Sequence, residues 1–388
     1  MIPSINRYRL SFLFAIALGG SLPAFSGVTY TCDPTINSDA YANLCATLNG
    51  TTGSAFTGGL AGFYNSTFTN ANATIYISFN TAAGLGESTV GYSNLVPYSV
   101  YQSALQSEST DAAKAFVPAT EPTIYGGGEV ELTSALANAL GITSTNGNPP
   151  GNVFGTEFDG TDPTSGFAGA ACTNPGNGAV VVASSTACYN GIITLNTPAG
   201  LQTALDQGYT YRGLGGSTTG TTANYDIFSV IEHETDEILG TASCYNTDNH
   251  TSVVDGCNGA NNIGAVDNFR YSGAGTRTIT TVGGTAYFSA NGGVTDLDGN
   301  LYDNALNGDD WADFSNSCTF VQDGQGCPNG TAFDITTDGP GGTPGPEVAI
   351  LNAVGFNLQS TSPEPGTLGL LGASLLALAL GRNRLHRR

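Results

Sequence analysis

Residues Tyr225–Gly240 read YDIFSVIEHETDEILG. The spacing of Ile227, Ile231, Ile238 and Leu239 predicts an amphipathic helix that stops at Gly240. A helix advances about 100° per residue, so His233 and Glu237, four apart, differ by only about 40° and stand one turn apart on one face. Two such side chains can grip one ion. Glu234 is rotated by about 100° from His233, which puts it beside such an ion rather than on it.

The pattern is that of the helical zinc motif His-Glu-x-x-His with glutamate in its last place. In that motif the middle glutamate is the general base for the attacking water, the role expected here of Glu234. The competing reading is a half-buried histidine beside a solvated acidic face of Glu232, Glu234, Asp236 and Glu237. Four acids in six residues repel one another unless something positive sits among them, which favours a cation. The longer metzincin pattern sets a third ligand three residues after the glycine, and here that residue is Ser243, a poor zinc donor. That pattern also needs a methionine turn, whereas Met1 is the chain's only methionine. The chain therefore lies outside the metzincins. Two residues are candidates for the third ligand: Asp267, in the segment AVDNFRYSGAG, and His250, between Cys244 and Cys257. The imidazole has the better zinc chemistry. Arg270 or Tyr271, in the same segment as Asp267, would stabilise an oxyanion.

A second acidic stretch, VTDLDGNLYDNALNGDDWADF, carries Asp296, Asp298, Asn300, Asp303, Asp309, Asp310 and Asp313 around Gly299. Hard cations such as calcium favour oxygen donors at such spacing, although the full EF-hand pattern is missing. A solvated acidic turn with Trp311 in the core is the simpler expectation.

Both ends of the chain read as addresses. MIPSINRYRLSFLFAIALGGSLPAFSG has Arg7 and Arg9, an apolar run from about Leu10 to Leu22, and small residues Ala24 and Ser26 before a cut, so residues 1–26 are expected to be a secretory signal peptide. All eight cysteines follow it, in four neighbouring couples: Cys32 and Cys45, Cys172 and Cys188, Cys244 and Cys257, Cys318 and Cys327. An even count in an exported chain suggests disulfides, and short loops favour these local pairs. Between Gly27 and Pro363 the only basic residues are Lys114, Arg212, Arg270 and Arg277, against all but one of the chain's 31 acidic residues. Such a surface repels phosphate backbones and excludes nucleic acid as a partner, while it attracts divalent cations.

The middle, residues 27–360, reads as one loop-rich domain. ATIYISFN (73–80) alternates as a strand, and GAVVVASS and GIITLN flank Cys188 as two more. Helices are expected over 52–68, from Ser99 to Phe116, from Leu132 to Leu140, within LQTALDQGYTYR (201–212), and over PEVAILNAVGFNL. TAYFSANGG, from Thr285, reads as a strand. Strand, helix, strand and then a metal-bearing helix is consistent with a zincin-like α+β layer: a mixed sheet, stapled by disulfides.

The end of the chain, TSPEPGTLGLLGASLLALALGRNRLHRR (361–388), has Pro-Glu-Pro, an apolar run from Leu368 to Leu380 and a cluster of arginines. It resembles the PEP-CTERM sorting signal of Gram-negative bacteria. That resemblance implies export, transient anchoring in the inner membrane with the basic end cytoplasmic, processing by an exosortase after signal peptidase has acted, and delivery to the cell surface or its polysaccharide matrix. Residues 73–356, through ATIYISFN with GLGES, HETDEILG, DNFRYSGAG, AYFSANGG, GDDWADF and LNAVGF, resemble a group of PEP-CTERM-associated metalloprotease-like proteins whose helix reads His-Glu-x-x-Glu. The resemblance implies zinc at His233 and Glu237, Glu234 as base and a protein or peptide substrate. It keeps the Asp267 segment with the helix, which inclines the third-ligand choice toward Asp267. A non-catalytic matrix or adhesion protein on the same scaffold, stabilised by calcium, is the alternative.

Overall fold

The computed structural model describes residues 27–32, 43–51, 59–80, 84–91, 95–108, 112–122, 128–142, 180–181, 188–196, 209–210, 225–244, 263–278, 285–297, 299, 301–302, 310–315, 320–324 and 345–359. Four strands form the central sheet: β1 (Val28–Cys32), β2 (Ala73–Asn80), β3 (Gly86–Val90) and β4 (Gly191–Asn196). Their order is β1-β2-β4-β3, with β1, β2 and β4 parallel and β3 an antiparallel edge. The all-apolar inner positions Ile75, Ile77, Ile193 and Leu195 are fully buried, as parallel strands covered by helices require. The mixed α/β character and mixed sheet agree with the sequence.

Among the described residues, besides a five-residue helix over Leu44–Leu48, the helices are α1 (Gly59–Thr67), α2 (Tyr98–Glu108), α3 (Ser134–Ala139), α4 (Ile227–Asp236) and α5 (Pro346–Val354). Helix α1 begins at Gly59, and the rest of the helix expected over 52–68 lies outside the described residues. The expected helix from Ser99 to Phe116 is instead two pieces, α2 and a 3-10 turn over Ala112–Phe116. Residues 109–111, between them, lie outside the described residues. Within 201–212, Tyr209–Thr210 is a short strand paired with Tyr225–Asp226 rather than helix, and the remainder lies outside the described residues. The strand expected from Thr285 is reduced to Tyr287–Phe288, and Asp267 sits in a 3-10 turn over Val266–Phe269.

Helix α4 carries the motif, and local chemistry fixes both of its ends. Asp226 caps its start: its carboxylate accepts from Ser229 N at 3.1 Å and from Ser229 Oγ at 2.7 Å. At the other end the helix widens into a π turn over Glu237–Thr241, and Gly240, at φ 139°, breaks it. Thr133, the N-cap of α3, donates to Leu239 O at 3.0 Å and so satisfies one of the freed carbonyls.

The apolar side of α4 lies against the sheet. Ile227, Phe228, Ile231, Ile238 and Leu239 are at most 2 % exposed, each contributing about 1.5–3 kcal/mol by burial. Two strand glycines permit the close approach. A Cβ on Gly191 of β4 would come within 2.5 Å of Ile238, and one on Gly86 of β3 within 2.5 Å of Val230.

Among the expected disulfides, Cys32–Cys45 is formed, tying β1 to the short helix Leu44–Leu48. Cys244 is disulfide-bonded as well. The remaining pairings, the signal peptide and the sorting tail lie outside the described residues. Among the described residues no helix is long and apolar enough to cross a membrane.

Gly191→Ala is expected to destabilise the fold by about 1–3 kcal/mol, because the added methyl overpacks against Ile238. Adding Ile238→Val should recover part of that loss, as read by chemical denaturation.

Candidate metal centre

Helix α4 presents His233 and Glu237 on successive turns, and the chain returns much later to set Asp313 opposite them. His233 Nε2 lies 3.7 Å from Glu237 Oε1 and 3.6 Å from Asp313 Oδ1. All three donor atoms fall within 4.8 Å of one another. Zinc bonds of about 2.0–2.2 Å at tetrahedral angles hold neighbouring donors roughly 3.3–3.6 Å apart, so the group can hold such an ion with little adjustment.

Each donor is held from behind. The Nδ1–H of His233 donates to Val321 O at 2.8 Å, and because a carbonyl can only accept, this bond fixes the ring with Nε2 toward the carboxylates. Ser88 Oγ, on β3, donates to Glu237 Oε2 at 2.5 Å. Gln322 Nε2 donates to Asp313 Oδ1 at 3.3 Å. Asp313 owes its position to its neighbours: Trp311 and Phe314 are buried in the core at 1 % and 0 % exposure, and Phe314 bridges to both Tyr302 and Asp323.

The electrostatics favour positive charge at this point. Burial would depress the His233 pKa, but Glu237 and Glu234, with the Val321 carbonyl and Asp236, raise it to about 9. Burial, then Glu237, push the Glu234 carboxyl well above its ordinary range, and it shares a hydrogen bond with Glu237. A side chain at Gly86 would meet Glu234 Oε1 at 2.8 Å, so the bare backbone there makes room for this carboxyl.

Beneath the helix, away from this cluster, Glu232 and Asp236 are fully buried. Glu234 is buried as well, at 6 % exposure, so the expectation of a solvated acidic face is corrected for all three. Tyr64 donates to Asp236 Oδ1 at 2.7 Å, and Tyr30 and Thr235 share a hydrogen bond of 3.1 Å. Burial raises the Asp236 pKa to about 8 although the Tyr64 bond and His233 oppose it.

Asp267, expected as the third ligand, is not part of the donor group. Its carboxylate closes the turn after α4, accepting from Ser243 Oγ at 2.6 Å, Gly264 N at 2.7 Å and Cys244 N at 3.1 Å. All three contacts serve this turn, and the carboxylate lies outside the group formed by His233, Glu237 and Asp313. Asp310 flanks the same turn, accepting from Ser243 N at 3.1 Å and Ala312 N at 2.6 Å. His250 lies outside the described residues, as do Asp298, Asn300, Asp303 and Asp309 of the acidic stretch. Arg270 is 1 % exposed, donates to Trp311 O at 2.7 Å and lies against the rings of Tyr302 and Trp311, while Tyr271, equally buried, packs under Arg277. Both are engaged in packing. Asp313 stands in the GDDWADF stretch that suggested oxygen ligation, so its chemistry was visible in the sequence; its pairing with His233 and Glu237 was not. No family model, curated protein or solved structure matches the chain.

Asp313→Asn is expected to weaken binding of added zinc by more than about tenfold, since the change removes one of the two carboxylate charges of the donor group. Asp267→Asn should leave zinc affinity nearly unchanged and cost about 1–3 kcal/mol of stability through its broken buried hydrogen bonds. Competition with a chelator and thermal melts of both variants separate the two roles.

Proposed function

We propose that the chain is an exported, surface-sorted metallopeptidase on a zincin-like scaffold, with His233, Glu237 and Asp313 as zinc ligands and Glu234 as general base. The observation that carries this reading is the convergence of one imidazole nitrogen, its ring oriented by Val321, on two carboxylates beside a third. Zinc held there supplies Lewis acidity that polarises a peptide carbonyl and makes water more acidic.

The chain's own residues do the rest. With Glu237 engaged by a cation, Glu234 loses the neighbour that holds its proton and becomes the ionised base that hydrolysis requires. It then takes a proton from the attacking water and returns it to the leaving amine. The antiparallel setting of β3 brings Ser88 and Gly86 to this side of the helix, where the one fixes Glu237 and the other leaves space for Glu234.

Support for export and sorting comes from the two ends. Residues 1–26 have the charge, apolar run and small residues of a cleaved leader. Residues 361–388 have the Pro-Glu-Pro, apolar and arginine order of a PEP-CTERM tail. Signal peptidase and an exosortase are the processing partners in this reading, and an extracellular protein or peptide is the substrate.

Zinc-loaded full chain is expected to cleave a generic protein such as casein. Glu234→Gln should retain zinc and lose roughly 10²–10⁴-fold in rate. If the wild type binds zinc, melts earlier after chelation, and is as inert as Glu234→Gln, the peptidase reading is wrong and a metal-stabilised matrix scaffold takes its place.

A further inference from the structure

The turn over residues 320–324 belongs to no motif in the sequence, yet two of its consecutive residues reach two different donors of the centre. Val321 gives its carbonyl to His233 Nδ1–H at 2.8 Å, and Gln322 gives its side-chain amide to Asp313 Oδ1 at 3.3 Å. The turn is itself pinned. Phe320 N donates to Asp323 Oδ2 at 3.1 Å, Phe314 N to Gln322 O at 2.8 Å, and Gln322 N to Glu347 Oε1 at 3.1 Å. Glu347 is fully buried in the first turn of α5, so the closing helix of the domain holds the turn against the site. Gln322 is also fully buried, and its Oε1 accepts no hydrogen bond among the described residues. The bond to Asp313 is therefore what sets the sense of its amide.

Glu237, the remaining donor, is held from the sheet instead. Ser88 Oγ engages Oε2, the oxygen that does not face His233, and leaves Oε1 directed at the imidazole. Ser88 thus restrains Glu237 through its far oxygen, and Gln322 restrains Asp313 through Oδ1, the oxygen that also faces His233 and keeps a second lone pair for an ion.

We infer that Ser88 and Gln322 are the positioning residues of this metal centre, Ser88 directing Glu237 and Gln322 directing Asp313 toward a divalent cation shared with His233. Neither touches the ion or the substrate. Both act by removing rotamer freedom from a ligand before the ion arrives, the kind of support whose loss costs metal affinity about 10–100-fold. The inference rests on the metal-dependent reading above.

The test uses the full chain, stripped with a chelator and titrated with zinc against a chromophoric competitor, then loaded with cobalt for its visible absorption. Ser88→Ala and Gln322→Leu are each expected to raise the zinc Kd by about 10–100-fold and to alter the cobalt bands. Ser88→Thr, which keeps the hydroxyl, should restore both. Because Gln322 is buried, Ser88→Ala decides if Gln322→Leu fails to fold, and the zinc-free melting temperature of Ser88→Ala should stay close to the wild type's. Wild-type zinc affinity and an unchanged cobalt spectrum in Ser88→Ala overturn the inference while leaving the metal centre standing. A fall in zinc-free stability that accounts for the affinity loss, with no rescue by threonine, also overturns it. A wild type that binds no zinc removes the metal reading itself, and this inference with it.

Discussion

Four carboxyl groups within six residues of one buried helix, Glu232, Glu234, Asp236 and Glu237, set the constraint to which the surrounding fold answers. Each would repel the next and lose its hydration on burial. The sheet and α1 bring Tyr30 and Tyr64 beneath the helix, and Tyr64 meets Asp236. The edge strand brings Ser88 to Glu237, and Glu234 shares a proton-bearing hydrogen bond with the same group. These contacts need the helix to lie close on the sheet, and that closeness depends on Gly191 and Gly86 having no side chains. Metal-site geometry and sheet packing are therefore two consequences of one approach distance.

Local patterns made much of this legible. The apolar spacing of α4, its stop at Gly240, the alternation of ATIYISFN and the pairing of Cys32 with Cys45 each depend on residues close in sequence, where period and turn chemistry act directly. His233 and Glu237 share a helical face for the same reason. The third carboxylate was not legible in that way. Its selection depends on Trp311 and Phe314 entering the core and on a turn at 320–324 held by Glu347, all contacts between distant segments. Asp267 offered the same functional group in a segment tied to the helix. Three hydrogen-bond donors from Ser243, Cys244 and Gly264 had already claimed it for the fold.

Ser243 shows how a site can look damaged in sequence and be intact in space. In the metzincin spacing its place belongs to a ligand, whereas here its hydroxyl and amide bind Asp267 and Asp310 and stabilise the chain's exit from the π turn. In the proposed reading Asp313, from another segment, takes the ligand's part, and the residue at the old position serves the turn.

The donor set also bears on how strong a catalyst this centre would make. One neutral imidazole and two carboxylates bring a charge of −2 to a divalent ion, one unit more negative than two histidines and a glutamate would, so the bound ion polarises its substrate less. Hydrogen bonds from Ser88 and Gln322 to those carboxylates draw charge back from them and restore part of that polarising power. The acidity of the protein and the charge of the donor group act in the same direction: both favour capture of a cation.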